Sequence, residues 1–167
     1  RRHVRRRIID RLRERVEQAG GAWLNIAPYP FPYRSAVSFR IDHDHYNDED
    51  FRNTLAATAD RVKATSHYLS GAAYEQQMKV LRQLEGFDVG SHGYQHRVYR
   101  SEDENYENVA RGMDVLRRAG LTPSGFSAPD GQYSRALAAA VQRLGVGHSS
   151  EIRLAYDDWP FWPEGSS

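Results

Sequence analysis

The sequence predicts an α/β protein built on a parallel β-sheet. Five short β-forming segments alternate with helical segments along the chain, which is typical of right-handed β-α-β units. Polar residues gather directly after several of the predicted strands. The carboxyl ends of parallel strands are where α/β proteins collect ligands and catalytic groups. The pattern is compatible with a sheet that stays open or closes into a barrel.

The composition limits the kinds of chemistry that the chain can perform. It has 167 residues, with 23 Lys and Arg against 22 Asp and Glu, seven His and no Cys. The length fits one domain, and the lack of Cys excludes disulfides, thiolate metal sites and a cysteine nucleophile. No apolar run reaches the roughly 20 residues of a membrane span, and the Arg-rich start does not resemble a signal peptide. The sequence is compatible with a location in the cytoplasm and with one in the cell envelope.

The N-terminal segment differs in charge from the rest of the chain. Residues 1–15 contain eight Arg against two acidic residues, so they carry +6 and the other 152 residues carry −5. Apolar residues recur every four positions, at Val4, Ile8, Leu12 and Val16. This period predicts an amphipathic helix that ends near Gly20, with its Arg face in water. A polyanion-binding arm is the alternative. We therefore divide the chain into a basic helix over residues 1–21 and a main domain over residues 22–167.

The main domain begins with a proline-rich stretch at residues 27–32, which predicts an extended linker. The strand candidates cover residues 36–42, 64–70, 87–91, 125–128 and 146–150. Helices are predicted between them, at residues 48–62, 74–86, 106–120 and 134–144. Asp48 and Ser134 are the expected N-caps of the first and last of these helices.

Two histidine-containing clusters follow the first and third strand candidates. The first covers residues 42–45, and the second contains His92 and His96. A catalytic divalent metal takes three imidazole or carboxylate ligands and keeps one position for water. Two His four residues apart can bind one ion, and an acidic residue of the first cluster would complete the set. The alternative is that these residues act as caps, turn formers or surface groups.

The ordered clusters resemble a known family, the polysaccharide deacetylase or NodB-homology domain of carbohydrate esterase family 4. Residues 87–96 are most similar to the second family motif, which contains two metal-binding His. Other segments resemble the first, third and fourth motifs, at residues 36–44, 125–131, and 149–151 with 156–160. The likeness extends over roughly residues 28–163. It implies a distorted, incomplete (β/α) barrel preceded by the N-terminal helix.

The resemblance implies a metal-dependent hydrolase that removes acetyl groups from an acetylated oligo- or polysaccharide. Asp42 would be the catalytic base. Asp44, His92 and His96 would bind a divalent metal, with Zn²⁺ preferred and Co²⁺ or Ni²⁺ as options. In a different strand register His43 would replace Asp44 as ligand. Strand alternation favours Asp44, because it lies on the same side as Asp42.

The third and fourth motifs imply the residues that contact substrate. These are Pro129, Asp130, Tyr133, Asp157 and Trp159. Ser127 and Asp130 stand where many family members have an Arg that orients the catalytic acid and an aromatic that lines the groove. We therefore expect the orientation of the catalytic acid and the contacts with substrate to differ from those of many family members.

The family takes the proton for its leaving group from a His in a fifth motif. The chain ends at Ser167 without a matching segment, so we expect a C-terminal portion to be missing. His45 and His148 are the spare histidines near the site, and neither is assigned this role.

Two other functions stay open at this point. One is hydrolysis of a small non-sugar amide on the same scaffold, and the other is a non-catalytic carbohydrate-binding or partner-binding domain. Nucleic acid is not expected as a partner, because the main domain carries −5 and has no recognisable nucleic-acid motif. The sequence does not predict which glycan is used, whether the acetyl group sits on N or O, or the oligomeric state.

Overall fold

A computed structural model describes residues 2–24, 31–33, 39–59 and 65–151. The chain forms two compact units, one with the N-terminal helix and one with the sheet. Helix α1 covers Arg2–Gln18, and Gly20 follows it at a φ of +76°. This agrees with the helix predicted from the apolar period, whereas a domain boundary at residue 21 stays a prediction. Among the described residues, no helix has the length and apolar character that crossing a membrane requires.

The second unit contains a five-stranded parallel sheet. Its strands are β1 (Phe39–His43), β2 (Thr65–Leu69), β3 (Asp88–Ser91), β4 (Gly125–Phe126) and β5 (His148–Ser149). They pair in the order β1-β2-β3-β4-β5, and every neighbouring pair is parallel. The predicted α/β class with a parallel sheet is therefore confirmed. All five carboxyl ends lie at the same edge of the sheet.

Among the described residues, five helices accompany the sheet. They are α2 (Asp48–Thr58), α3 (Gly71–Tyr74), α4 (Met78–Leu81), α5 (Glu102–Arg118) and α6 (Arg135–Arg143). Two single turns of 3₁₀ helix cover Arg82–Leu84 and Pro129–Gly131. Ser134 caps α6 through a bond from the Leu137 N–H, as predicted. Helix α2 is instead capped by Asn47, so the predicted Asp48 cap is wrong. Asp48 is the first residue of α2, where its negative charge favours the helix N-terminus.

The single helix predicted over residues 74–86 is also wrong. Gln77 separates α3 from α4 with a non-helical backbone (φ −111°, ψ 39°). Helix α3 is fixed by backbone bonds from Gly71 to Gly93 and from Ala72 to Tyr94. An apolar period of 3.6 residues does not distinguish one continuous helix from short helical pieces that bury the same side chains.

One face of the sheet, which we call the outer face, packs against helices. A first core cluster includes Phe51, Leu69, Leu81, Leu84, Val89, Val115 and Leu116. A second cluster lies between α5, β4 and α6 and includes Val109, Met113, Phe126, Leu137 and Val141. Each of these side chains contributes roughly 2 kcal/mol when buried. Together they fix the helices on one face and leave the opposite face available for polar groups.

The opposite face, which we call the inner face, contains a row of residues in register. The row is Asp42, Tyr68, Gly90, Gly125 and His148. The Tyr68 ring lies over Gly90 and the His148 ring lies over Gly125, so close that a Cβ at either glycine would collide with them. The Tyr68 hydroxyl and His148 Nε2 are 2.9 Å apart above these glycines. Glycine is therefore required in this row by packing.

Arg40 connects the two edge strands of the sheet across the inner face. Its guanidinium pairs with Asp42 Oδ2 at 2.7 Å on β1 and donates to the carbonyl of Ser150, directly after β5. Since β1 and β5 are at opposite ends of the strand order, this contact requires a strongly curved sheet. The curvature agrees with the expected distorted, incomplete barrel.

Two histidines pair on the outer face. His43 Nε2 and His67 Nδ1 are 2.9 Å apart, and the rings stack with centroids separated by 5.2 Å. His67 is fully buried and lies against Phe87. Burial lowers the pKa of the His67 imidazole from 6.5 to about 4. The folded protein therefore contains a neutral His67 at pH values where the unfolded chain binds a proton.

This pair predicts a loss of stability at mildly acidic pH. The folded pKa of His67 lies below its unfolded value, so its contribution is complete above about pH 6.5 and is lost as the pH falls towards about 4. A shift of this size corresponds to about 3 kcal/mol. Urea unfolding between pH 7 and pH 4 should show this decline in wild type and a smaller one in His67→Leu. His3→Leu, at an exposed position on α1, is the matched control. An equal decline in His67→Leu and wild type would contradict the assignment.

Candidate metal centre

The end of β1 separates its polar side chains between the two faces of the sheet. Asp42 lies on the inner face beside Arg40, and Asp44 follows the last residue of the strand. His43 lies on the outer face, where its ring packs against Phe51 and its Nε2 contacts His67. His43 is thus engaged in the core and is not part of the group formed by Asp44.

His92 follows β3 and is 1% exposed. Its backbone N–H donates to the Leu69 carbonyl at 2.9 Å, and its Nδ1 lies 2.8 Å from the Ser127 carbonyl. Because a carbonyl only accepts hydrogen bonds, Nδ1 carries the proton and Nε2 keeps a free lone pair. Burial also lowers the pKa of His92 below its ordinary value, which favours the neutral ring that binds a metal.

His96 is carried by a loop that α5 holds in place. The segment between His92 and His96 is a loop, with Gly93 at a φ of +83°. The Asn108 side chain, buried on α5, accepts from the Gln95 N–H and donates to the carbonyls of Gln95 and Arg97. These three bonds bracket His96, so the position of its imidazole depends on Asn108.

Asp44, His92 and His96 converge at the carboxyl ends of β1 and β3. Asp44 Oδ1 lies 3.3 Å from His92 Nε2 and 3.2 Å from His96 Nε2, and the ligand atoms of all three lie within 4.8 Å of one another. Asp44 Oδ1 is buried, and no group in the described part of the chain forms a hydrogen bond with it. Three lone pairs that face one point without satisfying each other fit a divalent cation. Two imidazole nitrogens and one carboxylate oxygen are donors that Zn²⁺, Co²⁺ and Ni²⁺ accept.

The sequence profile of the polysaccharide deacetylase family matches residues 43–148. The chain belongs to the polysaccharide deacetylase family. The match begins within the first histidine-containing cluster and includes both His92 and His96. No curated protein matches the chain.

Solved structures share the fold of this chain at low sequence identity. A family 4 pseudoenzyme from Bacillus anthracis matches with a TM-score of 0.61 and 15% identity, over 67% of this chain and 41% of the other. A family 4 carbohydrate esterase from Streptomyces lividans, in complex with acetate, matches with a TM-score of 0.57 and 19% identity, over 67% and 60%. A family 4 acetyl xylan esterase from Clostridium thermocellum, in complex with a cobalt ion, matches with a TM-score of 0.53 and 19% identity, over 63% of this chain and 54% of the other. The chain spans less than half the length of the Bacillus structure.

Asp42, the base expected from the sequence, lies on β1, two residues before Asp44. Its Oδ2 is paired with Arg40, and its Oδ1 is buried with no hydrogen-bond partner among residues 39–59 and 65–151. One oxygen is therefore held in orientation while the other stays available to accept a proton.

The residues expected to contact substrate lie partly within the described part of the chain. Pro129 and Asp130 form a 3₁₀ turn after β4, in which Asp130 has a left-handed backbone (φ 55°). Tyr133 lines a groove of about 840 Å³ together with Tyr99. Asp157 and Trp159 lie outside the described residues.

Two residues that build the site were missed by sequence reasoning. Arg40 is a charged residue between the apolar Phe39 and Ile41, two residues before Asp42, which is a signal for a side chain on the same face as Asp42. Asn108 lies on the apolar side of α5 and is 8% exposed. A buried amide requires hydrogen-bond partners, so its place in a helical stripe was also a usable signal.

Removing the Asn108 side chain should weaken metal binding. Asn108→Ala leaves three groups of the 93–97 loop without partners, so His96 loses its fixed position. We expect the affinity for Co²⁺, measured by calorimetry, to fall about 10- to 100-fold. Glu107→Ala, at an exposed position on the same helix, should keep wild-type affinity. A folded Asn108→Ala protein with wild-type affinity would contradict this role.

Proposed function

We propose that this protein is a metal-dependent hydrolase that removes acetyl groups from an acetylated oligo- or polysaccharide. The observation that carries the proposal is the convergence of Asp44 Oδ1, His92 Nε2 and His96 Nε2 at one edge of the sheet. Membership of the deacetylase family supports the reaction class. The acetate bound to the Streptomyces esterase agrees with it.

Asp44, His92 and His96 would hold the metal, with Zn²⁺ as the preferred ion. When bound by these residues, a divalent ion would polarise the acetyl carbonyl and would lower the pKa of a water to about 7. The Ser127 carbonyl supports this role, because it fixes the His92 tautomer that leaves Nε2 free. Asp44 needs no conformational change to take part, since its Oδ1 already faces both imidazoles.

Asp42 would act as the general base. A water proton moves to Oδ1, the buried oxygen without a partner in the described chain, while Arg40 holds Oδ2. Orientation of this kind is what general-base catalysis requires, because the acceptor must lie within hydrogen-bond reach of the proton that it takes. Many family members have an orienting Arg at the position that Ser127 occupies in this chain. Here Arg40 would supply the orientation instead.

The substrate would lie along the groove that contains Tyr133 and Tyr99. Sugar rings present apolar faces that pack against aromatic side chains, whose polar tips contact hydroxyl groups. Pro129 and Asp130 directly precede Gly131, which lines this groove, and would contact the substrate together with Asp157 and Trp159.

Metal content and acetate release test the proposal together. The purified protein should bind one Zn²⁺ per chain by elemental analysis and release acetate from acetylated chitooligosaccharides or acetylated xylan. Asp44→Ala and His96→Ala should each lose the metal, whereas His45→Ala, an exposed neighbour outside the group, should retain it. A wild-type protein that binds no metal and gains no activity with Zn²⁺ or Co²⁺ would refute the proposal. Metal binding and glycan binding without acetate release would favour a non-catalytic carbohydrate-binding domain.

Asp42→Asn should separate catalysis from metal binding. The amide keeps the size of the carboxylate but cannot accept the water proton, so kcat should fall at least about 100-fold. Metal content should stay at the wild-type level. Asp50→Asn, an exposed acid in the first turn of α2, is the matched control and should leave kcat unchanged. An Asp42→Asn protein with near wild-type kcat would assign the base elsewhere.

A further inference from the structure

Helix α1 exposes large apolar side chains along one side. Four of them are between 39% and 62% exposed: Val4, Ile8, Ile9 and Leu12. At about 100° per residue they fall, together with Val16, within one arc of about 140°, which we call the apolar stripe of α1. Leu24, which follows the helix, is 91% exposed. A contiguous exposed apolar surface of this kind indicates a binding site for an apolar partner.

The charges of α1 are arranged around the apolar stripe. The helix contains seven Arg against three acidic residues. Arg7 and Arg11 border the stripe on one side, and Arg6 and Arg13 border it on the other. The acidic residues lie opposite the stripe, at Asp10, Glu14 and Glu17. The half of the helix that is centred on the stripe therefore carries only positive charge.

Two more arginines, Arg5 and Arg15, lie within the arc of the stripe itself. A long Arg side chain can lay its hydrocarbon stem along an apolar surface while its guanidinium reaches a polar boundary. These positions therefore suit a partner that is apolar inside and anionic at its surface. They do not suit a uniformly apolar protein groove, in which both charges would be buried without a partner.

The charges also decide between the partners that could cover the stripe. A second copy of the helix would bring two Arg-rich faces together, and like charges repel. Nucleic acid attracts the Arg charges through its phosphates but has no place for the apolar stripe. An anionic lipid bilayer accepts both, because its headgroups attract Arg and its acyl chains take up apolar side chains. The acidic residues then face water.

We propose that α1 binds the surface of an anionic lipid bilayer and lies in the plane of that surface. The apolar stripe enters the boundary between headgroups and acyl chains, and the arginines on both borders contact headgroup phosphates. The 152 residues after residue 15 carry −5, so a negative surface attracts α1 and not the main domain. This inference does not depend on the deacetylase function, to which it adds a lipid surface as a partner.

Cosedimentation of the whole chain with vesicles tests the role of the arginines. Binding to an equimolar mixture of phosphatidylcholine and phosphatidylglycerol should be at least about 100-fold stronger than binding to phosphatidylcholine alone, because each Arg near an anionic surface contributes about fivefold. Arg6→Gln/Arg13→Gln should therefore weaken binding about 25-fold. Arg82→Gln/Arg135→Gln removes the same charge from exposed positions on the main domain and is the matched control. Equal binding to the two kinds of vesicle would overturn the proposal.

The stripe is tested by alanine variants, which preserve the helix because Ala has the highest helix propensity. Ile8→Ala/Leu12→Ala should weaken binding to the anionic vesicles at least about 10-fold. Glu14→Ala/Glu17→Ala, on the opposite side of α1, is the matched control and should bind at least as well as wild type.

Two results would overturn the proposal in favour of another partner. One is binding to duplex DNA that is tighter than binding to anionic vesicles and unchanged in Ile8→Ala/Leu12→Ala. The other is a dimer, seen by analytical ultracentrifugation and lost in the same variant, in a protein that binds no vesicles. Vesicle binding is measured without turnover, so its failure would leave the proposed hydrolase function unaffected, and an inactive protein that binds anionic vesicles would still support this inference.

Discussion

Parallel pairing in chain order is the constraint on which the site depends. Asp44 and His92 are 48 residues apart in the chain, and they meet because β1 and β3 end at the same edge of one sheet. The loop after β4 reaches the same edge and supplies the Ser127 carbonyl. Residues after β5 return to β1 through Arg40, which requires the sheet to curve. Each of these strand ends thus contributes a group to the candidate site. A change of register on any strand would separate these groups.

Strand alternation separates structural from chemical histidines. His43 and His67 occupy the outer face, where burial keeps them neutral and packed among aromatic rings. Asp42 occupies the inner face, where glycines at positions 90 and 125 make space for large polar rings. Two neighbouring residues of β1 therefore differ in role, because one lies on the face that packs in the core and the other on the face of the site.

Much of the fold was predictable because hydrophobic period and strand order are local signals. The parallel α/β class and the Ser134 cap follow from such signals, as does the clustering of residues 42–45 with His92 and His96. The Asn47 cap of α2 and the break between α3 and α4 at Gln77 could not be predicted from such signals. Several neighbouring residues could cap or end a helix at these places, and tertiary contacts decide which of them does. The Asn108 side chain acquires its partners only through contacts 11 to 13 residues away in the chain. Roles that depend on such contacts cannot be assigned from spacing alone.

X-ray absorption at the Zn edge of the metal-loaded protein tests the central claim most directly. The convergence of Asp44, His92 and His96 predicts one Zn²⁺ with two imidazole nitrogens at about 2.0 Å and oxygen ligands for the remainder. Asp44→Asn should weaken this site without changing the number of imidazoles. A spectrum with three imidazoles would contradict the account, because it would require His43 to leave the core and replace Asp44. Failure to bind Zn²⁺ at one ion per chain would contradict it as well.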